Sequence, residues 1–189
     1  LGSIGDLGCY SFHETKNIIS GEGGALLINN SAFADRAEII REKGTNRNQF
    51  FRGQVDKYTW VDVGSSYLLS DLNAAYLLAQ LESSCRITDQ RINQWNLYDS
   101  QFYELEEIGL LKRPRIQDEC SHNGHIYYLL LASLEERQAF LAWMKSFNIY
   151  CTFHYVPLHS SSIGSKYGKL GSSMKNTIKA SDCLARLPM

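Results

Sequence analysis

Apolar residues fall along this chain in short runs bounded by turn residues and in longer stretches with helical spacing. Residues 7–12, LGCYSF, and 25–29, ALLIN, are apolar runs of strand length, so two strands are expected there. Ser31 is the expected N-cap of a helix that puts Phe33, Ala37 and Ile40 on one face and closes at Gly44. Residues 45–66 follow neither period. They mix aromatics, charge and glycine, and a long functional loop is expected. From Ser70 the apolar positions Leu72, Ala75, Tyr76 and Ala79 recur at helical spacing, and helical composition continues with breaks to about residue 107.

The second half opens on GHIYYLLLA, residues 124–132, a candidate buried strand. Ser133 and Glu136 then have the spacing of a capping box. The helix that follows carries Phe140, Met144 and Phe147 on one stripe, expected to be core. IYCTFHYV, residues 149–156, returns as a strand. This β-α-β run suits the core of a small α/β domain, and the domain boundary is expected near residue 90, giving 1–90 and 91–189. No internal repeat or low-complexity tract interrupts it.

Composition narrows the classes of partner. The 189 residues carry 19 Lys and Arg against 20 Asp and Glu, a net charge of −1, with no basic block in either half. Neither a nucleic-acid nor a membrane-surface partner is expected. No apolar run approaches the length of a membrane span, and the start has no signal-peptide pattern. Five scattered cysteines form no CxxC pair and no metal-ligand spacing, which is expected of reduced thiols in a cytoplasm. The chain starts LGSIGDLG without methionine and stops at a leucine–proline step in LARLPM, so a fragment of a longer protein is expected.

One residue invites chemistry. Lys16 follows the first strand and precedes Gly21, Gly23 and Gly24, which permit tight turns and close approach of chain to chain. A lysine amine becomes a Schiff-base nucleophile when its surroundings lower its pKa, and a loop leaving a strand end can present it to a cleft. Ser11, five residues upstream, offers a hydroxyl to a phosphate. On these residues alone a solvated surface lysine is the simpler reading, and the glycine run lacks the Gly-Lys-Ser/Thr of a nucleotide-binding loop.

The longer pattern shifts the balance. SFHETKN followed by GEGGALLIN closely resembles the lysine motif of the DegT/DnrJ/EryC1/StrS sugar aminotransferases. The resemblance continues through AEIIREKGTNRNQFFRGQVDKYTW and DVGSSYLLSDLNAAYLLAQL to FHYVPLH, nearly the whole chain. The stretch GTNRNQFFRGQVDKYTW resembles the dTDP-4-amino-4,6-dideoxygalactose transaminase branch, which serves enterobacterial common antigen synthesis. The resemblance implies an α/β protein of the fold type I class of transferases that depend on pyridoxal 5'-phosphate (PLP). It would comprise part of the large domain plus a small C-terminal α/β domain.

By the same resemblance Lys16 would hold PLP as a Schiff base and then carry the proton between cofactor and sugar. Ser11 would bind the cofactor phosphate. Ser66 stands where many relatives place an asparagine that reaches the partner subunit's phosphate, and a serine has shorter reach. Tyr58, Trp60 and Arg47, with Arg52 and Lys57, would border the substrate of the neighbouring subunit; a plain dimer-interface loop is the alternative. His154, Tyr155 and His159 would approach the nucleotide sugar; the alternatives are a locally satisfied strand histidine and a metal site, which lacks an evident third ligand. His13 and Glu14 receive no role.

The pyridinium carboxylate and the ring-stacking aromatic would lie upstream of this chain. The intact homodimer would take a dTDP-sugar and L-glutamate, and the fragment alone would bind PLP weakly or not at all. An enzyme giving the gluco epimer and a non-catalytic sugar-nucleotide module remain alternatives. A dehydratase offshoot, which loses the lysine, does not suit Lys16.

Overall fold

The computed structural model describes residues 2–189. Its elements divide into two compact units, one ending at Ile87 and one covering Thr88–Met189.

The first unit is built on a hairpin. Strand β1 (Leu7–Ser11) runs antiparallel to β2 (Gly24–Ile28), with Leu7 opposite Ile28 and Ser11 opposite Gly24. A lone hairpin is marginal in water, and this one is tied at its open end. Asn29 Nδ2 donates to the carbonyls of Gly2 (3.0 Å) and Gly5 (2.7 Å).

Helix α1 (Ala34–Arg41) is entered through one 3-10 turn, Ser31–Phe33. The cap of that turn is Asn30, whose side-chain oxygen accepts from Ala32 N–H at 3.1 Å, so the expected cap, Ser31, lies one residue inside. Asparagine caps as well as serine does, and Asn30 has the extended backbone a cap needs. Glu42 is the C-cap of α1 and Lys43 makes the first left-handed step at φ +62°, so the expected closing residue, Gly44, lies two positions past the cap, at φ +77° with its N–H on Ile39 O (2.9 Å).

Residues 45–66 are more ordered than their composition suggests. They contain α2 (Arg47–Phe51) and return over the end of α1. Gly44 O accepts from the N–H groups of Val61 and Asp62, and bridges join Thr45 to Trp60 and Glu42 to Ser66. The five residues RNQFF are too few to register a helical period.

Ser70 caps α3 (Asp71–Glu82), its Oγ accepting from Asn73 N–H at 3.3 Å. The helical stretch continues as α4 (Ser84–Gln101) and α5 (Tyr103–Glu107), with breaks at Ser83 and Phe102. The division between the units falls inside α4.

The second unit holds an antiparallel sheet of three strands. Strand β3 (Tyr127–Leu130) leads to α6 (Leu134–Ser146) and then to β4 (Thr152–Phe153). After α7 (Ser162–Tyr167) and α8 (Lys175–Cys183) the chain adds β5 (Leu184–Leu187). The order is β3-β5-β4, so the expected β-α-β unit is split by a strand that its pattern did not announce. Both expected strands are also shorter than their apolar runs.

Tyr127, Leu129, Ala185 and Leu187 alternate onto one buried face, and Trp95, from α4, and Leu111 complete the core with Tyr127, Leu129 and Leu187. The Tyr127 ring lies 5.2 Å from Trp95 and 5.3 Å from Tyr98. Phe140 packs against this core, Met144 is half-buried, and Phe147, where α6 ends, is exposed against Trp143. The stripe expected on α6 therefore stops one turn early.

A buried arginine locks α4 to α5. Arg113 Nη1 donates to Asp99 Oδ2 (2.7 Å), its Nε to Glu106 Oε2 (2.9 Å), and its backbone N–H to Glu106 Oε1 (2.9 Å). That backbone hydrogen bond leads the contacts that hold the Glu106 carboxyl below its ordinary range.

Candidate active site

The chain leaves β1 at Ser11 and rejoins the hairpin at Gly24. Between them the backbone closes on itself. Phe12 N–H donates to Gly23 O (2.8 Å), Glu14 N–H to Gly21 O (2.9 Å), and Ser20 N–H to Phe12 O (2.7 Å). Lys16 N–H donates to His13 O at 2.9 Å, which makes residues 13–16 a turn at the tip. The Lys16 side chain is exposed there.

His13 braces the turn. Its Nδ1 accepts from Thr15 N–H (3.2 Å) and lies 3.0 Å from Thr15 Oγ1. Nδ1 thus serves as the acceptor within the turn, and Nε2 faces Glu22 Oε1 at 3.6 Å. Ser11 is exposed at the strand end, with its Oγ accepting from His13 N–H at 3.4 Å. The start of α3 closes on the same loop: Asn73 Nδ2 donates to Glu22 O at 3.4 Å. Ser66 precedes that helix, exposed and bridged to Glu42.

Arg47 and Tyr58 meet around two phenylalanines. The Arg47 guanidinium lies 5.1 Å over Phe51, and Tyr58 stands edge-on to Phe50 at 5.7 Å. Trp60 is 74% exposed, opposite Thr45. Arg52 is taken: both of its terminal nitrogens pair with Glu38, whose carboxyl that hydrogen bond holds below its ordinary range.

The residues of HYVPLH lie in the second unit. Strand β4 ends at Phe153, so His154 stands just beyond it. The locally satisfied strand histidine does not describe it: His154 Nδ1 and His159 Nε2 are buried with no hydrogen-bond partner. Burial lowers the His154 pKa, with Arg186 adding to the effect. Its ring lies 5.3 Å from Tyr155, over which Arg186 sits at 5.9 Å. His154 and Tyr155 line a cavity of about 560 Å³ with Pro157, Asn176, Thr177 and Ser181. His159 lies in the short 3-10 turn Leu158–Ser160. Among the described residues no group of three or more His, Cys, Asp or Glu is placed to hold a metal ion.

The sequence pattern did not single out Ser20, Glu22, Asn73 or Arg186. All are polar residues whose partners lie across a turn, in another element or over a ring. Only the burial of Ser20, between exposed glycine and glutamate on one side and the turn on the other, marks it, and burial is not visible in IISGEGG.

Likeness to known proteins extends over the whole chain. It is 28% identical over 131 residues to the UDP-4-amino-4,6-dideoxy-N-acetyl-beta-L-altrosamine transaminase of Campylobacter jejuni, covering 69% of this chain and 33% of that protein. It is 26% identical over 163 residues to the dTDP-4-dehydro-2,3,6-trideoxy-D-glucose 4-aminotransferase of Saccharopolyspora spinosa, covering 84% and 42%. A putative sugar aminotransferase from Streptococcus pneumoniae, solved in a PLP form, superposes with a TM-score of 0.77 at 25% identity, over 99% of this chain and 47% of that one. The chain thus spans less than half the length of each. The model of the DegT/DnrJ/EryC1/StrS aminotransferase family matches residues 1–189, lysine loop and C-terminal sheet together, and the chain belongs to that family.

Proposed function

We propose that this chain is the lysine-bearing part of a PLP-dependent aminotransferase that acts on a nucleotide sugar. The observation that carries the reading is Lys16, an exposed amine at the tip of an ordered loop, within a chain of this family. The residues present suit the cofactor: an amine for covalent attachment and, at Ser11, an exposed hydroxyl for its phosphate.

PLP, when bound, supplies an electron sink for the carbon that bears the amino group. Lys16 would hold it through Nζ, and the same amine, once free, would carry the proton that the amino-group exchange requires. Ser11 donates to the phosphate, and Ser66 supplies a second donor from the other subunit of a homodimer. Arg47, Tyr58 and Trp60 bind the nucleotide sugar, the guanidinium on phosphate and the rings on base or sugar. His154, Tyr155 and His159 approach it from the small domain.

The finer reading names the substrates. The amino group of L-glutamate, with one hydrogen, passes to C4 of dTDP-4-keto-6-deoxy-D-glucose, whose keto oxygen leaves as water while another water supplies the keto oxygen of the donor, giving 2-oxoglutarate and dTDP-4-amino-4,6-dideoxy-D-galactose. The aromatic and charged ribbon at residues 45–60 supports it, as do relatives that act on 4-keto or 4-amino sugar nucleotides by name.

The test is turnover by the full-length enzyme. With dTDP-4-keto-6-deoxy-D-glucose and L-glutamate, 2-oxoglutarate and the galacto product are expected by NMR, and Lys16→Ala should abolish both while the protein stays folded. A gluco product overturns the stereochemical assignment. Undiminished turnover by Lys16→Ala overturns the role of the lysine.

A further inference from the structure

Lys16 is only as well placed as the loop that presents it, and one buried side chain, Ser20, joins the backbone and His13 in holding that loop together. Ser20 is 4% exposed, whereas Lys16, Gly21 and Glu22 are open to solvent. Its Oγ lies 2.9 Å from Glu22 O and 3.4 Å from Phe12 O, and its N–H donates to Phe12 O at 2.7 Å. The one hydroxyl proton goes mainly to Glu22 O, the shorter contact. Ser20 therefore ties the exit of the loop, at Glu22, to its entrance, at Phe12.

Room for that hydroxyl comes from a missing side chain. A Cβ on Gly23 would lie 2.5 Å from Ser20 Oγ. The same Glu22 carbonyl receives Asn73 Nδ2 from α3 at 3.4 Å, so the tie extends to the helix beside the loop.

We infer that Ser20 is a positioning residue for Lys16: its buried hydroxyl, seated in the space left by Gly23, fixes the loop geometry from which the Lys16 amine meets its carbonyl partner. This rests on the role proposed above for Lys16. Without the hydroxyl, Glu22 O is left with the longer bond from Asn73, and the loop is closed by its backbone hydrogen bonds and by the His13–Glu22 contact at 3.6 Å. The loop then samples more arrangements, and fewer of them present the amine correctly.

The test uses the full-length enzyme, freed of cofactor, as wild type, Ser20→Ala and Ser20→Thr. Two quantities are read: amide hydrogen exchange, and the rate at which added PLP becomes fixable by borohydride on the peptide containing Lys16. In Ser20→Ala the amides of Glu14 and Lys16 are expected to exchange faster, while those of the β1–β2 ladder do not change. Fixing on Lys16 is expected to slow about tenfold, the factor that the loss of one buried hydrogen bond implies. Ser20→Thr keeps the hydroxyl and is expected to recover most of the rate.

Equal exchange and equal fixing in wild type and Ser20→Ala would overturn the role of Ser20 alone. Faster exchange through the whole hairpin would also overturn it, because Ser20 would then hold the fold and not the loop. A wild-type enzyme that fixes no cofactor on Lys16 would overturn the reading of the lysine itself, and the exchange data would still report what Ser20 does to the loop.

Discussion

At Gly44 the absence of a single carbon atom decides whether residues 45–66 can fold back over α1. A Cβ there would collide with the backbone oxygen of Asp62, which cannot rotate aside, and φ is +77°. Gly44→Ala is expected to destabilise the protein by more than about 1 kcal/mol, read as a lower urea midpoint. Arg113 sets a second residue-scale expectation. Its contacts put the folded pKa of Glu106 below the ordinary 4.5. A lowered pKa means that the unfolded chain takes up the proton first. The stabilisation is therefore complete above 4.5 and is lost as pH falls through the lowered value. Glu106→Gln should flatten the acid limb of a stability-against-pH profile; an unchanged limb would show that the pair contributes nothing there. Neither residue declares its neighbours in the sequence. Gly44 marked the end of α1 to within two residues because a glycine stop is a local signal, whereas Arg113 in LLKRPR looks like any surface cation. Its burial between Asp99 and Glu106 follows from how two helices and a loop pack.

Elements with local punctuation were legible, and those made by distant pairing were not. Ser70 was expected to start its helix and Ser133 to cap the next, and both side chains accept from the third residue of their helices. Glu136 completes the second cap one residue off the ideal box, accepting from Ala132 N–H at 3.0 Å. Strand β5 had no such mark. Its four residues, LARL, include an arginine, and its central place comes from distant partners on both sides, with Leu184 opposite Leu130 and Leu187 opposite Tyr127 on β3 and Arg186 opposite Thr152 on β4. Two substitutions separate these contributions. Ser133→Ala removes a cap and is expected to cost about 1 kcal/mol. Leu129→Ala opens a cavity beneath the sheet, where the side chain is 1% exposed, and is expected to cost about 3 kcal/mol. Denaturant unfolding of both variants gives the comparison. Equal losses would mean that the sheet face is not the core of this unit.

Across the whole molecule the apolar surface is unevenly hidden. Helix α3 has no buried residue, although Leu72, Tyr76, Leu78 and Leu81 run along it and Leu72 is 84% exposed. A helix apolar on more than one side is normally covered, and a net charge of −1 supplies little repulsion between copies. The isolated chain is therefore expected to sediment above its monomer mass of 21.5 kDa as concentration rises. A concentration-independent monomer would mean that this surface is tolerated in water. Of the site, the lysine and the strand end before it were legible because a motif is contiguous. The tie through Ser20, the pairing of Arg52 with Glu38 and the unpartnered nitrogens of His154 and His159 depend on contacts that the sequence does not show. The assignment of Lys16 is tested most directly by reducing the PLP-loaded full-length protein with borohydride and weighing its peptides. A reduced pyridoxyl phosphate on Lys16, and on no other lysine, is expected; its attachment elsewhere, at Lys43 or Lys57 for example, or nowhere, contradicts the assignment.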